Sequence, residues 1–243
     1  MRWEVAVQKA LRACGLEIHR TLPGAQYVQC LPFTFSTYRP WFEEWFEAIY
    51  AEIRDRTEVT ADRCYMLYEF ARHCCHLDGD MAECGVYRGG TAYLLAQTIA
   101  RQSARPIQLH LFDTFAGMPA TADSDPSTHR QGDFGDVSLD SVKAYLKAFA
   151  NVCFHPGMIP ETFAQQEAGR YSFVHVDVDL YQSVRDCCSF FYTRMVRGGV
   201  MIFDDYGFPH YRDAAKRAVD EFFRDKQERT ISLATGQCLV IKL

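Results

Sequence analysis

The sequence predicts an α/β fold: a mostly parallel seven-stranded sheet with helices on both faces, one antiparallel strand, and a helical segment in front. Three observations predict it. After Asp80, short apolar runs alternate with stretches of helical period, the pattern of a sheet wound through crossover helices. Each of four strand ends carries glycine or carboxylate chemistry. The last two apolar runs are joined by a turn around Thr235-Gly236, which adds a hairpin to the sheet.

Trp3 to Cys14 carries a rough helical stripe of Val5, Val7, Leu11 and Cys14. An aromatic segment, QYVQCLPFTFSTY, follows between Pro23 and Pro40. Pro40 to Arg54 is expected to be a helix with Trp41, Trp45, Phe46, Ile49 and Ile53 on one side and Glu43, Glu44 and Glu47 mostly on the other. Thr60 to His73 is a third helix, with Thr60 as its N-cap. Strands are expected at Met81–Gly85, Ile107–Phe112, Asn151–His155, Tyr171–Val176, Val200–Phe203, Thr230–Leu233 and Cys238–Lys242. Helices are expected at Thr91–Arg101, Ser138–Phe149, Tyr181–Val196 and Tyr211–Arg224, with a helix or turn at Ile159–Glu167. The division expected is residues 1–56 as a helical and aromatic cap or dimer surface, and residues 57–243 as the α/β domain.

With 243 residues and 48% hydrophobic content, the chain can fill one substantial core. Its formal net charge is −5, with no run of Lys or Arg, which speaks against a nucleic-acid partner. Met1 to Gly15 make a poor signal peptide, because Glu4, Lys9 and Arg12 interrupt the apolar positions. No run approaches the ~20 apolar residues that span a bilayer. The ten cysteines include no C-x-x-C pair. They read as small buried thiols in a reducing cytoplasm.

In a sheet of this kind ligands bind beyond the carboxyl ends of the strands, at the point where strand order reverses. The first such end reads Glu83-Cys84-Gly85-Val86-Tyr87-Arg88-Gly89-Gly90-Thr91. Its glycines permit close backbone approach, and the helix from Thr91 aims free N–H groups at a ligand. The spacing G-x-x-x-G-G is neither the dinucleotide fingerprint nor a P-loop. Asp113, at the end of the second strand, is placed to bond ribose hydroxyls. Asp177 with Asp179, and Asp204 with Asp205, end two more strands. Asp177, Asp204 and Asp205 are expected to converge at one rim, where either a proton or a cation must offset their repulsion. All-oxygen donors select hard cations such as Mg²⁺, Mn²⁺ or Ca²⁺.

Four segments, ECGVYRGG, FDTFAGMP, VHVDVDLYQS and GGVMIFDDYG, resemble in order and spacing the macrocin O-methyltransferase family. The resemblance runs from about Thr57 to about Phe223. It implies a Rossmann-like class I methyltransferase fold and S-adenosylmethionine-dependent methylation of a small-molecule hydroxyl, on a sugar of a natural product. It further implies that Glu83, Gly85 and Gly89 line the methionine part of the cofactor, that Asp113 holds its ribose, and that Asp177, Asp204 and Asp205 hold Mg²⁺ (or Mn²⁺). Tyr87 stands where the family usually has Trp, and Gly90 and Thr91 complete the turn. Asp179, just beyond the strand, is assigned as general base, with Asp177 or His210 as other candidates; its competing role is to cap the helix near Tyr181. The long polar loop from Pro119 to Asp136 reads as a lid or binding loop whose His129 is either solvated or in contact with substrate. Partners expected are the hydroxyl acceptor and a second copy of the chain, with no membrane or nucleic acid. Two other readings fit the same frame: a nicotinamide-dependent oxidoreductase, against which the missing fingerprint and the Asp-Asp pair both speak, and a non-catalytic cofactor-binding subunit.

Overall fold

The computed structural model describes Val7, Leu11, Cys14 and residues 44–243 except 124 and 127. The expectations for the first helix, for the aromatic segment and for residues 41–43 lie outside the described residues. The chain divides into two compact units at Tyr38/Arg39, and everything below concerns the second.

Seven strands form one sheet: β1 (Asp80–Cys84), β2 (Leu109–Asp113), β3 (Val152–Pro156), β4 (Tyr171–Val176), β5 (Met195–Phe203), β6 (Ile231–Ser232) and β7 (Cys238–Ile241). Their spatial order is β3-β2-β1-β4-β5-β7-β6. The pairs from β3 to β5 are parallel, and β7 runs antiparallel to both β5 and β6. This is the predicted sheet with its one reversed strand. Strand order turns around between β1 and β4, so the switch point lies at the ends of those two strands.

Alternation along the strands sorts the core. Met81, Leu109, Leu111, Phe173, Val200 and Ile202 face one way, onto α1 (Glu44–Ile53), α2 (Ala61–Cys74) and α3 (Gly90–Gln102). Ala82, Phe112, Val174, Val176, Met201 and Phe203 face the other, toward α5 (Tyr181–Tyr192) and α6 (Arg217–Phe223). α1 buries Phe46, Ile49 and Ile53 in the same core as α2 and α3, so it belongs with the sheet. Among the described residues no helix is long and apolar enough to cross a membrane. The nine cysteines among them are all free, and seven are buried.

Several boundaries differ from expectation. The helix expected over Tyr181–Val196 stops at Tyr192, and Met195 and Val196 open β5 instead. A short apolar pair fits both periods, and pairing with β4 decides for the strand. β5 runs on through Gly198-Gly199. The helix expected over Ser138–Phe149 is α4 (Leu139–Tyr145), where the Ser138 hydroxyl accepts the Ser141 amide at 3.2 Å. Tyr211–Arg224 begins as a wide turn at Arg212–Lys216 before α6. Thr60 does precede α2, but its hydroxyl donates to Asp62 and accepts from Arg63 rather than from a helix amide.

Under the second face, His110 on β2 and His155 on β3 are buried with ring nitrogens 3.0 Å apart. Phe112 stacks on His155 with centroids 4.4 Å apart. Burial, followed by repulsion from His110, lowers the His155 pKa to about 4. The unfolded chain, with an ordinary pKa of about 6.5, therefore takes up this proton first. The resulting stability is fully present above pH ~6.5 and is lost as the pH falls toward 4, on the order of 3 kcal/mol in all. Urea midpoints should fall over this window, and His155→Gln should flatten the slope. Parallel slopes for the two proteins would remove His155 as the source.

Candidate active site

The switch point is built by close backbone crossing. Gly85 N–H donates to Phe112 O at 3.0 Å, and Asp177 N–H to Cys84 O at 2.8 Å. Gly85 has φ +87°, and a Cβ placed there would lie 1.8 Å from the Asp177 carbonyl oxygen. Only glycine fits both demands. Asp113 holds the turn that follows. Its Oδ2 accepts the amides of Val86 and Tyr87 at 2.6 and 3.0 Å, and its Oδ1 accepts Phe115 N–H at 2.7 Å.

A cleft of about 230 Å³ opens above the turn. Of the residues singled out in the sequence, Gly85, Tyr87, Thr91, Asp113, Asp177, Asp179 and Asp205 line it. Glu83, Gly89, Gly90 and Asp204 lie outside its lining, and His210 is exposed on a turn beyond it. The lining also includes residues that sequence reasoning missed: Thr57, Glu58, Val59 and Arg63 from the α1–α2 linker and α2, Met158 and Ile159 after β3, and Tyr211. None belongs to a motif with its own spacing.

The carboxylates form two groups rather than one. Asp177, Asp179 and Asp205 each bring an oxygen within 4.8 Å of the others. Asp204, expected beside Asp177 and Asp205, turns away, and Asp179 stands in the trio instead. Asp204 continues the Val200 and Ile202 face, and there Arg63 and Gln237 engage its two carboxylate oxygens. Asp179 is brought back by its left-handed backbone, φ +56°, a conformation aspartate tolerates.

Asp204 is fully buried and ion-paired with Arg63 of α2. Gln237 Nε2 donates to it at 2.8 Å, and His175 Nε2 lies 3.6 Å away. The other nitrogen of His175 meets Glu83 Oε1 at 2.8 Å. Glu83 and His175 are register partners on β1 and β4, so the sheet itself lines up Glu83, His175 and Asp204. Burial opposes charge on His175, but the carboxylates of Asp204 and Glu83 on either side outweigh it and push its pKa up to about 10. Burial likewise opposes ionisation of Asp204, yet His175 and Arg63 hold its carboxyl below the usual range. Asp177 and Asp205 behave oppositely. Burial and then Asp204 push Asp177 up to about 8, and burial with Asp177 and Asp179 raises Asp205 strongly. Two carboxyls that resist ionisation beside a third form an all-oxygen donor set that a hard cation would relieve.

Asp179 does not serve as the helix cap: the Tyr181 amide donates to Asp125 of the long loop at 2.9 Å. Asp179 faces His129 Nε2 at 3.4 Å, and the same nitrogen lies 2.7 Å from Tyr211 Oη. The Asp179 carboxylate beside it raises the His129 pKa against the effect of burial. His129 is therefore packed into the site, not solvated on its loop.

A family model for macrocin O-methyltransferase (TylF) matches residues 62–235. The chain belongs to this family. It is 29% identical over 146 residues to the 8-demethyl-8-(2,3-dimethoxy-α-L-rhamnosyl)-tetracenomycin-C 4′-O-methyltransferase of Streptomyces olivaceus, covering 56% of each chain. It is 28% identical over 157 residues to the demethyldecarbamoylnovobiocin O-methyltransferase of Streptomyces niveus, covering 60% of this chain and 59% of that one. The matches thus span less than two thirds of these relatives. Among solved structures, the O-methyltransferase NovP superposes with a TM-score of 0.67 at 24% identity, over 77% of this chain and 82% of that one. An O-methyltransferase from Bacillus cereus in complex with SAH gives 0.53 at 12% identity, over 82% and 91%. At these identities the structures establish the Rossmann-like class I methyltransferase fold for this family member.

Proposed function

We propose that this protein is an S-adenosylmethionine-dependent O-methyltransferase acting on a sugar hydroxyl of a natural product, with a divalent cation, Mg²⁺ or Mn²⁺. The observation that carries the reading is the carboxylate trio, set beside the glycine turn in one cleft at the switch point. Two of the relatives act, by name, on a rhamnosyl-bearing tetracenomycin and on a novobiocin precursor. A nicotinamide-dependent oxidoreductase is disfavoured by membership of a methyltransferase family and by the G-x-x-x-G-G spacing.

When bound, the cofactor would supply an activated methyl group, and the part of the chain's own residues is to position it against the acceptor oxygen, which carries much of the acceleration. The bare backbone of Gly85, with Tyr87 and Thr91 beside it, forms the floor for the methionine part, as Glu83 and Gly89 brace the turn from behind. Asp113, whose carboxylate accepts the amides of Val86, Tyr87 and Phe115 and the Thr114 hydroxyl, would take a ribose hydroxyl in exchange for its longest bond, the 3.4 Å one from Thr114. Asp177 and Asp205 hold the cation, which when bound offsets their charge and acidifies an acceptor hydroxyl. Asp204 stands behind them, fixed by Arg63, His175 and Gln237. Asp179 takes the proton that the hydroxyl loses.

Manganese titration followed by electron paramagnetic resonance tests the cation. One Mn²⁺ per chain should bind, Asp177→Asn and Asp205→Asn should each weaken it at least tenfold, and Asp204→Asn should weaken it less. Equal losses at Asp204 and Asp205 would put Asp204 among the ligands; no binding at all would sink the metal. Calorimetry tests the ribose contact: Asp113→Ala should weaken S-adenosylmethionine about tenfold to a hundredfold, the worth of a hydrogen bond to a charged group. Unchanged affinity would remove Asp113. Mass-spectrometric search of incubated extracts for products one methyl heavier identifies the acceptor, and capture of NADH in place of S-adenosylmethionine would overturn the whole reading.

A further inference from the structure

Two segments far apart in sequence meet over Asp179. His129 comes from the long loop after β2, and Tyr211 from the turn before α6; His129 Nε2 contacts both the Tyr211 hydroxyl and Asp179 Oδ1. Its Nδ1 lies 3.8 Å from Asp133 Oδ2 on the same loop. Although the loop is external, the His129 side chain is only 11% exposed.

The loop is closed at its base. Met118 N–H donates to Asp133 O at 2.7 Å, and Gly132 N–H donates to Met118 O at 2.9 Å. Met118, Pro119 and Phe134, at its two ends, line the cleft. Phe134 meets the Tyr87 ring edge-on at 5.4 Å and the His129 ring at 5.9 Å, joining the loop to the glycine turn. A second tie, Asp125 to the Tyr181 amide, fastens the loop beside the turn that carries Asp179. Polar ties of the loop to the domain thus include His129 to Asp179 and Tyr211, Asp125 to the Tyr181 amide, and Asp136 to Arg88 of the glycine turn. An acceptor hydroxyl must reach Asp179 too, so the acceptor and the His129 of the closed loop meet at one carboxylate. Loops held by few ties open at far lower cost than the core, and closure keeps water from the reacting groups.

We propose that His129 is a positioning residue that latches the loop of residues 118–135 onto Asp179, closing the acceptor side of the cleft and holding the carboxylate in one orientation. The inference rests on the assignment of Asp179 as base. Hydrogen exchange on the full-length protein saturated with S-adenosylhomocysteine tests it. Peptides covering 118–135 should exchange at least tenfold faster in His129→Ala and in Asp179→Ala. The double variant should add no more than either single one. Peptides from β4 and β5 should keep their wild-type rates, which controls for a damaged fold. The ¹⁵N resonances of the His129 ring, assigned by their loss in His129→Gln, should move in Asp179→Ala and in Tyr211→Phe. A side chain that merely fills space would not report those changes.

Wild-type loop exchange in His129→Ala would overturn the latch, as would ring resonances that ignore Asp179→Ala. Asp179→Asn separates the latch from the base, because it keeps an acceptor for His129 but no basic carboxylate. A closed loop with lost turnover in that variant supports both assignments. A closed loop with full turnover removes the base and leaves the latch standing.

Discussion

Asp179→Asn is expected to lower kcat about 10²–10⁴-fold, the usual worth of a general base. The fold should be untouched. Asparagine tolerates the left-handed backbone that Asp179 adopts at φ +56°, and the first amide of α5 is held by Asp125, so no cap is lost. S-adenosylmethionine affinity should stay within a few-fold of wild type, and Mn²⁺, which keeps an amide oxygen as donor at this position, should weaken less than in Asp177→Asn, which loses the metal and the activity together. The measurement is turnover on the acceptor found by the mass search, with thermal melting alongside. A variant that turns over normally and melts early would show that Asp179 is structural, and the base would have to be sought elsewhere in the cleft.

Arg63→Met is expected to be the most damaging single change outside the strands. Arg63 pairs with a fully buried carboxylate, donates to the Glu58 carbonyl at 2.8 Å and to the Thr60 hydroxyl at 3.1 Å, and so ties the α1–α2 linker to the sheet rim. Removing one partner of a buried pair leaves the other charge uncompensated and costs about 3–5 kcal/mol. For a domain of this size that corresponds to a fall of roughly 6–20 °C in Tm, measured with EDTA present. The double variant Arg63→Met/Asp204→Asn should recover part of the loss, since the stranded charge is gone. A melting point within a degree of wild type would mean that His175 and Gln237 suffice for Asp204.

Local pattern carried the architecture. Short apolar runs set between stretches of helical period located the strands, and the terminal glycine turn located the hairpin, because both depend on neighbours in the chain. The glycine turn and the acids at the strand ends were legible for the same reason: a strand that ends in Asp delivers it to the rim whatever surrounds it. Where one apolar pair suited two periods, at Met195 and Val196, local pattern misplaced a boundary and strand pairing settled it.

By itself, then, the sequence determined the order of elements, the switch point, and the residue types at each strand end. Only the tertiary structure decided how those acids divide. Asp204 leaves the cluster because Arg63, 141 positions away, meets it across the core. Asp179 enters the cluster through one left-handed residue that no pattern marks. His129 reaches Asp179 because its loop folds back on closing bonds between Met118, Gly132 and Asp133. Contacts of this kind arise when distant segments are packed together, and burial then sets their charge: one carboxyl is held ionised by its cationic neighbours, and two are driven toward protonation by burial and then by the carboxylates around them.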